Sequence, residues 1–283
     1  MSQRVLNWIN SKLLEGQKVA IATVINATGS VPGKPGARIA ITNSELQFGT
    51  IGGAGLEFKV LKKLSELLKN EESGGFVETF ALNKGAKGFE VVALDSLCGG
   101  KVTIAMEVVS PMPHILLFGG GHVSKAIVSI VEQIGWNYSV HDTRNEYSNK
   151  ELYPTAMELH NSSVSNFLQN ENLSSLQRFS NILLLGHDWK EDEKRLICLL
   201  KILGGSIGSK PKIGVIGSKS KWLSFQKIAL KQGILQSTLD LVICPIGINI
   251  GAESPEEIAI AVCAQIIADV KKQNPDEPNW RSN

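Results

Sequence analysis

The rhythm of apolar and polar positions changes near residue 110. Before it, short alternating runs dominate. An amphipathic opening segment leads into the β-rich run KVAIATVINATG. Residues 37–42 and 47–50 predict a hairpin around Asn43 and Ser44, and strand-like stretches follow near residues 76–82, 89–93 and 102–109. Between them Leu56, Val60, Leu61, Leu64 and Leu68 recur at helical spacing, which predicts one core-facing helix. Strands in runs with few helices between them predict an α+β module over residues 1–110.

Beyond Pro111 and Pro113 strands and helices alternate. Strand patterns at 114–118, 137–141, 182–185 and 212–216 are interleaved with helical patterns at 123–134, 192–203 and 220–231. Such βαβ alternation predicts a parallel sheet with covering helices. The last helix has a readable start: Ser254 as N-cap, Pro255 at the first helical position and Glu257 completing an S-x-x-E box. The fold class expected is therefore α/β, with a C-terminal Rossmann-like parallel-sheet domain over residues 111–283 and a smaller N-terminal α+β domain over 1–110.

Composition narrows the function. The chain has 283 residues, 43% hydrophobic and 20% charged, with a net charge of +2. The 29 Lys and Arg are scattered singly, which predicts no nucleic-acid partner. No apolar run approaches the roughly 18 residues needed to span a bilayer, and the opening segment lacks a signal peptide's apolar core. A cytoplasmic protein without a membrane role is expected. Walker A, HExxH and GxSxG patterns are absent, so P-loop phosphotransfer, zincin proteolysis and α/β-hydrolase chemistry are not indicated.

The most readable stretch is HILLFGGGHVSKAIVSIVEQIGWNYSVHDTR. An apolar strand ends at Phe118, Gly119 to Gly121 make a tight turn, and a helix begins near Val123. Glycines let the backbone approach a phosphate, and a helix N-terminus offers free N–H groups and the positive end of its dipole. Asp142 follows Gly121 by 21 positions, where a dinucleotide fold keeps its ribose-binding acid. Ser124 replaces the third glycine of the pattern, a site of close helix–strand packing, so a slightly displaced helix is expected. A plain βα turn that binds nothing would carry the same glycines. Gly186-His187-Asp188, Asp192 and Gly217-Ser218-Lys219 also fall at strand ends, where open α/β sheets bind ligands. Asp142, Arg144, His187, Asp192, Ser218 and Lys219 are thus candidates for one crevice. His187 suits a proton carrier, a hydrogen-bond donor or a helix cap.

The four cysteines form no CxxC pair. Cys98 lies in SLCGGK before the last strand of the first half, a loop setting that suits a reactive thiolate or a soft metal ligand, with Lys101 near enough in sequence to lower its pKa; a small residue packed under a turn fits as well. Cys198, Cys244 and Cys263 sit in apolar segments and are expected in the core.

Together these motifs resemble the xanthine dehydrogenase accessory factor family, also called XdhC/CoxI. The resemblance rests on Gly29-Ser30 with Pro32, PGAR (35–38), GTIGGAGLE (49–57), CGG (98–100), GGGHV (119–123), DTR (142–144), GHDWKED (186–192), IGSKSK (216–221) and PIGINIGAESPEEIA (245–259). Ala54 interrupts a glycine run that the family often continues, and Gly33-Lys34 follow Pro32 where the family often has Pro-Arg. The resemblance implies a binding protein rather than a catalyst: it receives molybdenum cofactor (molybdopterin) and passes it to an apo molybdenum hydroxylase such as xanthine dehydrogenase. A cysteine desulfurase or another maturation protein is the further implied partner, and a homodimer the implied assembly. Carried over by motif, Gly49, Gly52, Gly53, Gly99, Gly100, Gly119, Gly121 and His122 become candidate cofactor contacts, and Cys98 the candidate partner for molybdenum or its sulfur ligand. Two alternatives remain: an NAD(P)-dependent oxidoreductase using the same glycine turn, with His187 near the hydride acceptor, and a scaffold that docks partners without binding cofactor.

Overall fold

The computed structural model describes residues 2–70, 74–82, 91–93, 99–204, 211–275 and 277. It separates into two compact units, Met1–Met112 and Pro113–Asn283.

The first unit runs α1 (Ser2–Leu14), β1 (Val19–Thr28), β2 (Arg38–Thr42), β3 (Gln47–Thr50), α2 (Ala54–Asn70), β4 (Gly75–Ala81), β5 (Val91–Ala93) and β6 (Lys101–Val109). Its sheet has the order β3-β2-β1-β6-β4-β5, antiparallel except for β4 with β5. Alternation along β1 explains how both faces are covered. Ala20, Ala22 and Val24 join a core with Leu56, Val60 and Leu64 of α2, whereas Val19 and Ile21 pack with Val5 and Ile9 of α1. Leu61 and Leu68 lie at the edge of the α2 core.

The second unit continues with β7 (His114–Phe118), α3 (His122–Gln133), β8 (Asn137–Asp142), a 3-10 turn (Asn145–Tyr147), β9 (Glu158–Asn161), α4 (Val164–Gln169), α5 (Leu173–Leu176), β10 (Asn181–Leu184), α6 (Trp189–Leu203), β11 (Lys212–Val215), α7 (Lys219–Lys231), α8 (Gln236–Leu239) and α9 (Pro255–Lys271). All five strands are parallel in the order β9-β8-β7-β10-β11. Numbered within the unit this is 3-2-1-4-5, the Rossmann-like winding. HILLF of β7 is buried throughout because helices cover both faces. Leu116 and Phe118 face α4 to α7, while Ile115 and Leu117 face α3 and α9.

Caps set the helix starts. Asp188 caps α6, Ser218 caps α7, and Ser254 with Glu257 closes the predicted box at α9. Between β8 and β10 the sequence pattern predicts no element, whereas the structure holds β9, α4 and α5. Cys263 is buried in the core as expected, and Cys198 is half-buried against it. Cys244 is likewise half-buried against the core, and it also lines a groove. Among the described residues no helix is long and apolar enough to cross a membrane.

Candidate functional site

The strand order of the second unit reverses between β7 and β10, and the turns leaving these strands are Gly119–Gly121 and Leu185–Gly186. Gly119 has φ +108°, and a Cβ there would lie 2.8 Å from the Leu185 carbonyl oxygen, so only glycine fits. At Gly120 a Cβ would overlap the Tyr147 carbonyl oxygen. Gly121 differs from both. It is the N-cap of α3 in an extended conformation, no side chain caps the helix, and a Cβ would meet nothing within 4 Å. The amides of Gly121, His122 and Val123 have no acceptor among the described residues. His122 is exposed beside them. Ser124 is buried, and its hydroxyl donates to the Gly119 carbonyl, so the replacement of the third glycine is absorbed by a bond inside the turn.

Asp142 stands at the end of β8, as the spacing predicts, but it faces the turn. Its Oδ2 accepts from the Gly120 amide and from Arg144 Nη2, both at 2.8 Å; Oδ1 accepts from Arg144 N and Nε, both at 2.9 Å. Burial opposes ionisation here. The Arg144 guanidinium and the amides of Gly120 and Arg144 outweigh it, and the carboxyl titrates below its ordinary range. The guanidinium also lies 3.7 Å from the Tyr147 ring centroid. Buried Tyr153 donates to the Gly120 carbonyl at 2.8 Å. Asp142 and Arg144 therefore brace the turn, and the carboxylate has no oxygen left without a donor for a ribose.

Asp192 is completely buried rather than lining an open crevice. It accepts from Arg195 Nη1 and Lys221 Nζ, both at 3.0 Å, and Arg195 reaches Glu191, which accepts from Thr143 at 3.1 Å. Buried Arg195 lies over the Phe118 ring. This network ties the ends of β7 and β8 to α6 and α7, and a Cβ on Gly186 would collide with the Asp192 carboxylate. His187 is exposed, and the α6 cap is Asp188 instead. Strand-end spacing does not single out Glu191, Arg195 and Lys221; the run EDEKR in α6 carries helical spacing without revealing which charges are buried.

Ser218 borders two grooves, and Lys219 borders the second of them. One, of 430 Å³, lies against Ile216 and residues 245–252. The amides of Asn249 to Ala252 along it have no acceptor among the described residues. The other, of 450 Å³, is lined by Lys219, Trp222, Cys244 and Pro245. Burial pushes the Cys244 thiol up to about 11, against a small opposing pull from Lys221, so it is not a thiolate near neutrality.

In the first unit three glycine motifs converge on one another's backbones. A Cβ on Gly100 would clash with the Thr28 and Ser30 carbonyls, and one on Gly52 would clash with Pro32 and Gly33. The amides of Ile51 and Gly52 donate to Glu57 Oε1 at 3.2 and 3.1 Å, so α2 supplies its own anion to the GTIGG turn. Gly49 pairs with Ile39 in the β2–β3 ladder, and Gly53 accepts from the Glu57 amide at 2.9 Å. Beside them is a cavity of 460 Å³ lined in part by Lys34, Arg38 and Thr50. Gly99 is exposed. Cys98 lies outside the described residues. Among the described residues no group of three or more His, Cys, Asp and Glu could hold a metal ion.

The chain is similar in sequence to known proteins. The model of the XdhC Rossmann domain matches residues 115–266, and that of the XdhC and CoxI family matches residues 13–81. The uncharacterized protein YqeB of Escherichia coli K12 is 29% identical over 257 residues, 90% of this chain and 44% of its own length. A probable xanthine dehydrogenase subunit of Bacillus subtilis 168 is 26% identical over 166 residues, 58% of this chain and 45% of that protein. The chain thus spans less than half the length of these curated relatives. A crystal structure of a xanthine dehydrogenase from Bacillus halodurans aligns over 99% of this chain and 98% of its own, at 18% identity and a TM-score of 0.47.

Proposed function

Because the chain belongs to the XdhC and CoxI family, whose Rossmann-domain model matches more than half of it, we propose that it is an accessory factor that binds molybdenum cofactor and hands it to an apo molybdenum hydroxylase of the xanthine dehydrogenase type. In this reading it works as a homodimer and meets a cysteine desulfurase or a similar protein during maturation. The observation that carries the reading is the contrast between Gly121 and Asp142. The start of α3 keeps uncapped amides facing open space, which suits the phosphate of a pterin. The acid that a dinucleotide fold reserves for ribose is held by four donors of its own turn. Phosphate binding is supported, and recognition of NAD(P) ribose is not.

The molybdenum cofactor is cargo here. Its dithiolene brings the metal, so the chain needs to supply only a phosphate cradle, a dry wall with backbone donors for a flat polar ring, and one soft ligand. The amides of Gly121 to Val123 serve the first. The groove along residues 245–252, with its open amides and apolar side chains, suits the second. The soft ligand is the one the family resemblance implies, Cys98. Glu57 occupies the amides of the GTIGG turn, so that turn shapes the first unit and is not assigned a phosphate.

The test is retention. The chain is mixed anaerobically with molybdopterin released from a molybdenum enzyme, desalted, and assayed for the fluorescent oxidised pterin. Stoichiometric retention by wild type, reduced in Cys98→Ser, is expected. No retention together with saturable NADH binding would instead favour the oxidoreductase reading, and partner capture without either would favour the scaffold.

A further inference from the structure

Helix α9 is apolar on nearly every side, a pattern usual for helices buried all round. Its inner face, with Ala259, Val262, Cys263 and Ile266, packs on the sheet and α3. Its outer face is also apolar yet uncovered: Ile260 is 54% exposed, Ile267 39% and Val270 48%. Isolated exposed isoleucines are ordinary on a protein surface, but these form one stripe with charged ends. Glu256, Ile260, Ala264, Ile267 and Lys271 follow each other at steps of four, four, three and four, so all five share one side of the helix. Glu256 and Lys271 are exposed, and neither has an ion-pair partner among the described residues. The capping box uses Glu257, not Glu256.

The stripe has a second property. Read from either end it runs charge, Ile, Ile, charge, and the two charges are opposite. Laid antiparallel on a copy of itself, with Glu256 across from Lys271, the helix sets Ile260 across from Ile267 and brings Ala264 to the centre. Small central side chains let two helices approach closely. A two-fold axis repeats every contact, giving two Glu–Lys pairs and two Ile–Ile pairs. A parallel copy would set like charges side by side. We infer that the outer face of α9 is a self-association surface that takes the α9 of a second copy in antiparallel register, centred near Ala264. This rests on the homodimer reading above and gives it a location.

The pairing is small. The stripe from Glu256 to Lys271 is about 22 Å long at 1.5 Å per residue, so the dimer belongs to the weak, reversible class. Sedimentation velocity of the full chain across about 1 to 200 µM covers that class. A concentration-dependent monomer–dimer equilibrium is expected. Ile267→Glu sets an unpaired carboxylate against Ile260 of the other copy at both ends of the seam and weakens association by about 100-fold. Glu256→Lys or Lys271→Glu alone weakens it about tenfold, and the double reversal restores it to within about threefold of wild type. Ala264→Cys should form a disulfide-linked dimer under mild oxidation. Because all these side chains point outward, far-ultraviolet circular dichroism should be unchanged; if Ile267→Glu disturbs the fold, rescue by the double reversal still decides. A wild type that stays monomeric throughout overturns both the inference and the homodimer reading. A dimer indifferent to Ile267→Glu and to the charge reversals overturns the inference alone. A monomer that binds an apo hydroxylase through this face, with binding lost in Ile267→Glu, assigns the face to the client and overturns it too.

Discussion

Acidification should unfold the second unit through two buried rings. His114 on β7 is 6% exposed, lies edge-on to Phe179 and hydrogen-bonds Ser139 at 2.8 Å. His141 on β8 has no exposure, sits between Phe118 and Phe167, and leaves Nδ1 without a partner among the described residues. Burial holds each ring's pKa at about 4 against an ordinary 6.5; at His114 Glu158 opposes it and Arg178 adds to it, and at His141 Arg195 and His160 add to it while Asp142 and the bond to Ser162 oppose it. The folded rings therefore stay neutral while the unfolded chain takes up protons below 6.5. The stability they contribute is full above that pH and is lost as pH falls toward 4. Between about pH 7.5 and pH 5 each ring accounts for about 2 kcal/mol, so the pair lowers unfolding free energy by about 4 kcal/mol. Glu158 does not confuse this window. Burial opposes its ionisation, but His160 and Arg178 prevail and hold it at about 2, so its own effect begins only below its ordinary 4.5. Urea unfolding followed by tryptophan fluorescence at the two pH values measures the difference. His141→Leu should remove about half of the pH dependence, about 2 kcal/mol, whatever it does to absolute stability. A wild type equally stable at both pH values, or a variant with the full pH dependence, would refute the reasoning.

Three substitutions separate the brace from the open amides. Gly121→Asp fills a vacant cap, so thermal unfolding should show a gain of a few tenths to about 1 kcal/mol, while pterin retention falls at least about tenfold from repulsion of the phosphate. Gly120→Ala forces a methyl against the Tyr147 carbonyl and should cost about 3 kcal/mol or more in chemical denaturation. Asp192→Ala strips the buried Arg195 and Lys221 of their shared carboxylate and should cost about 3 to 5 kcal/mol; a loss below about 1 kcal/mol would mean that water enters the network.

Much of the fold was legible because it depends on periodicity. The stripe of α2, the alternation of strand and helix after Pro113 and the Ser254–Glu257 box all follow from local spacing, and each element lies within a few residues of its expected bounds. Strand β9 escaped because its run ELHN holds a single apolar residue, and α4 and α5 because helices of six and four residues hold too few turns to show a period. The site was half legible. Spacing puts Asp142 at the end of β8 but does not tell whether its oxygens point to a ligand or back to Gly120. The same holds for Asp192, whose candidacy rested on its place at a strand end and whose partners Arg195 and Lys221 are chosen by packing of α6 on α7. Cys244 packs against the core as its apolar neighbours suggest, but they do not tell that it also lines a groove. Gly121 was distinguished from Gly119 and Gly120 only by what surrounds each, which no run of three identical residues can state.

The central claim is that this chain holds molybdenum cofactor and delivers it. Loading the purified chain with the cofactor, removing the excess, and adding it to an apo xanthine dehydrogenase tests both halves at once. Enzyme activity above that restored by the same amount of free cofactor is expected, with Gly121→Asp and Cys98→Ser reduced. A wild-type chain that emerges from desalting without pterin, and adds nothing to the activity that free cofactor restores, would contradict it.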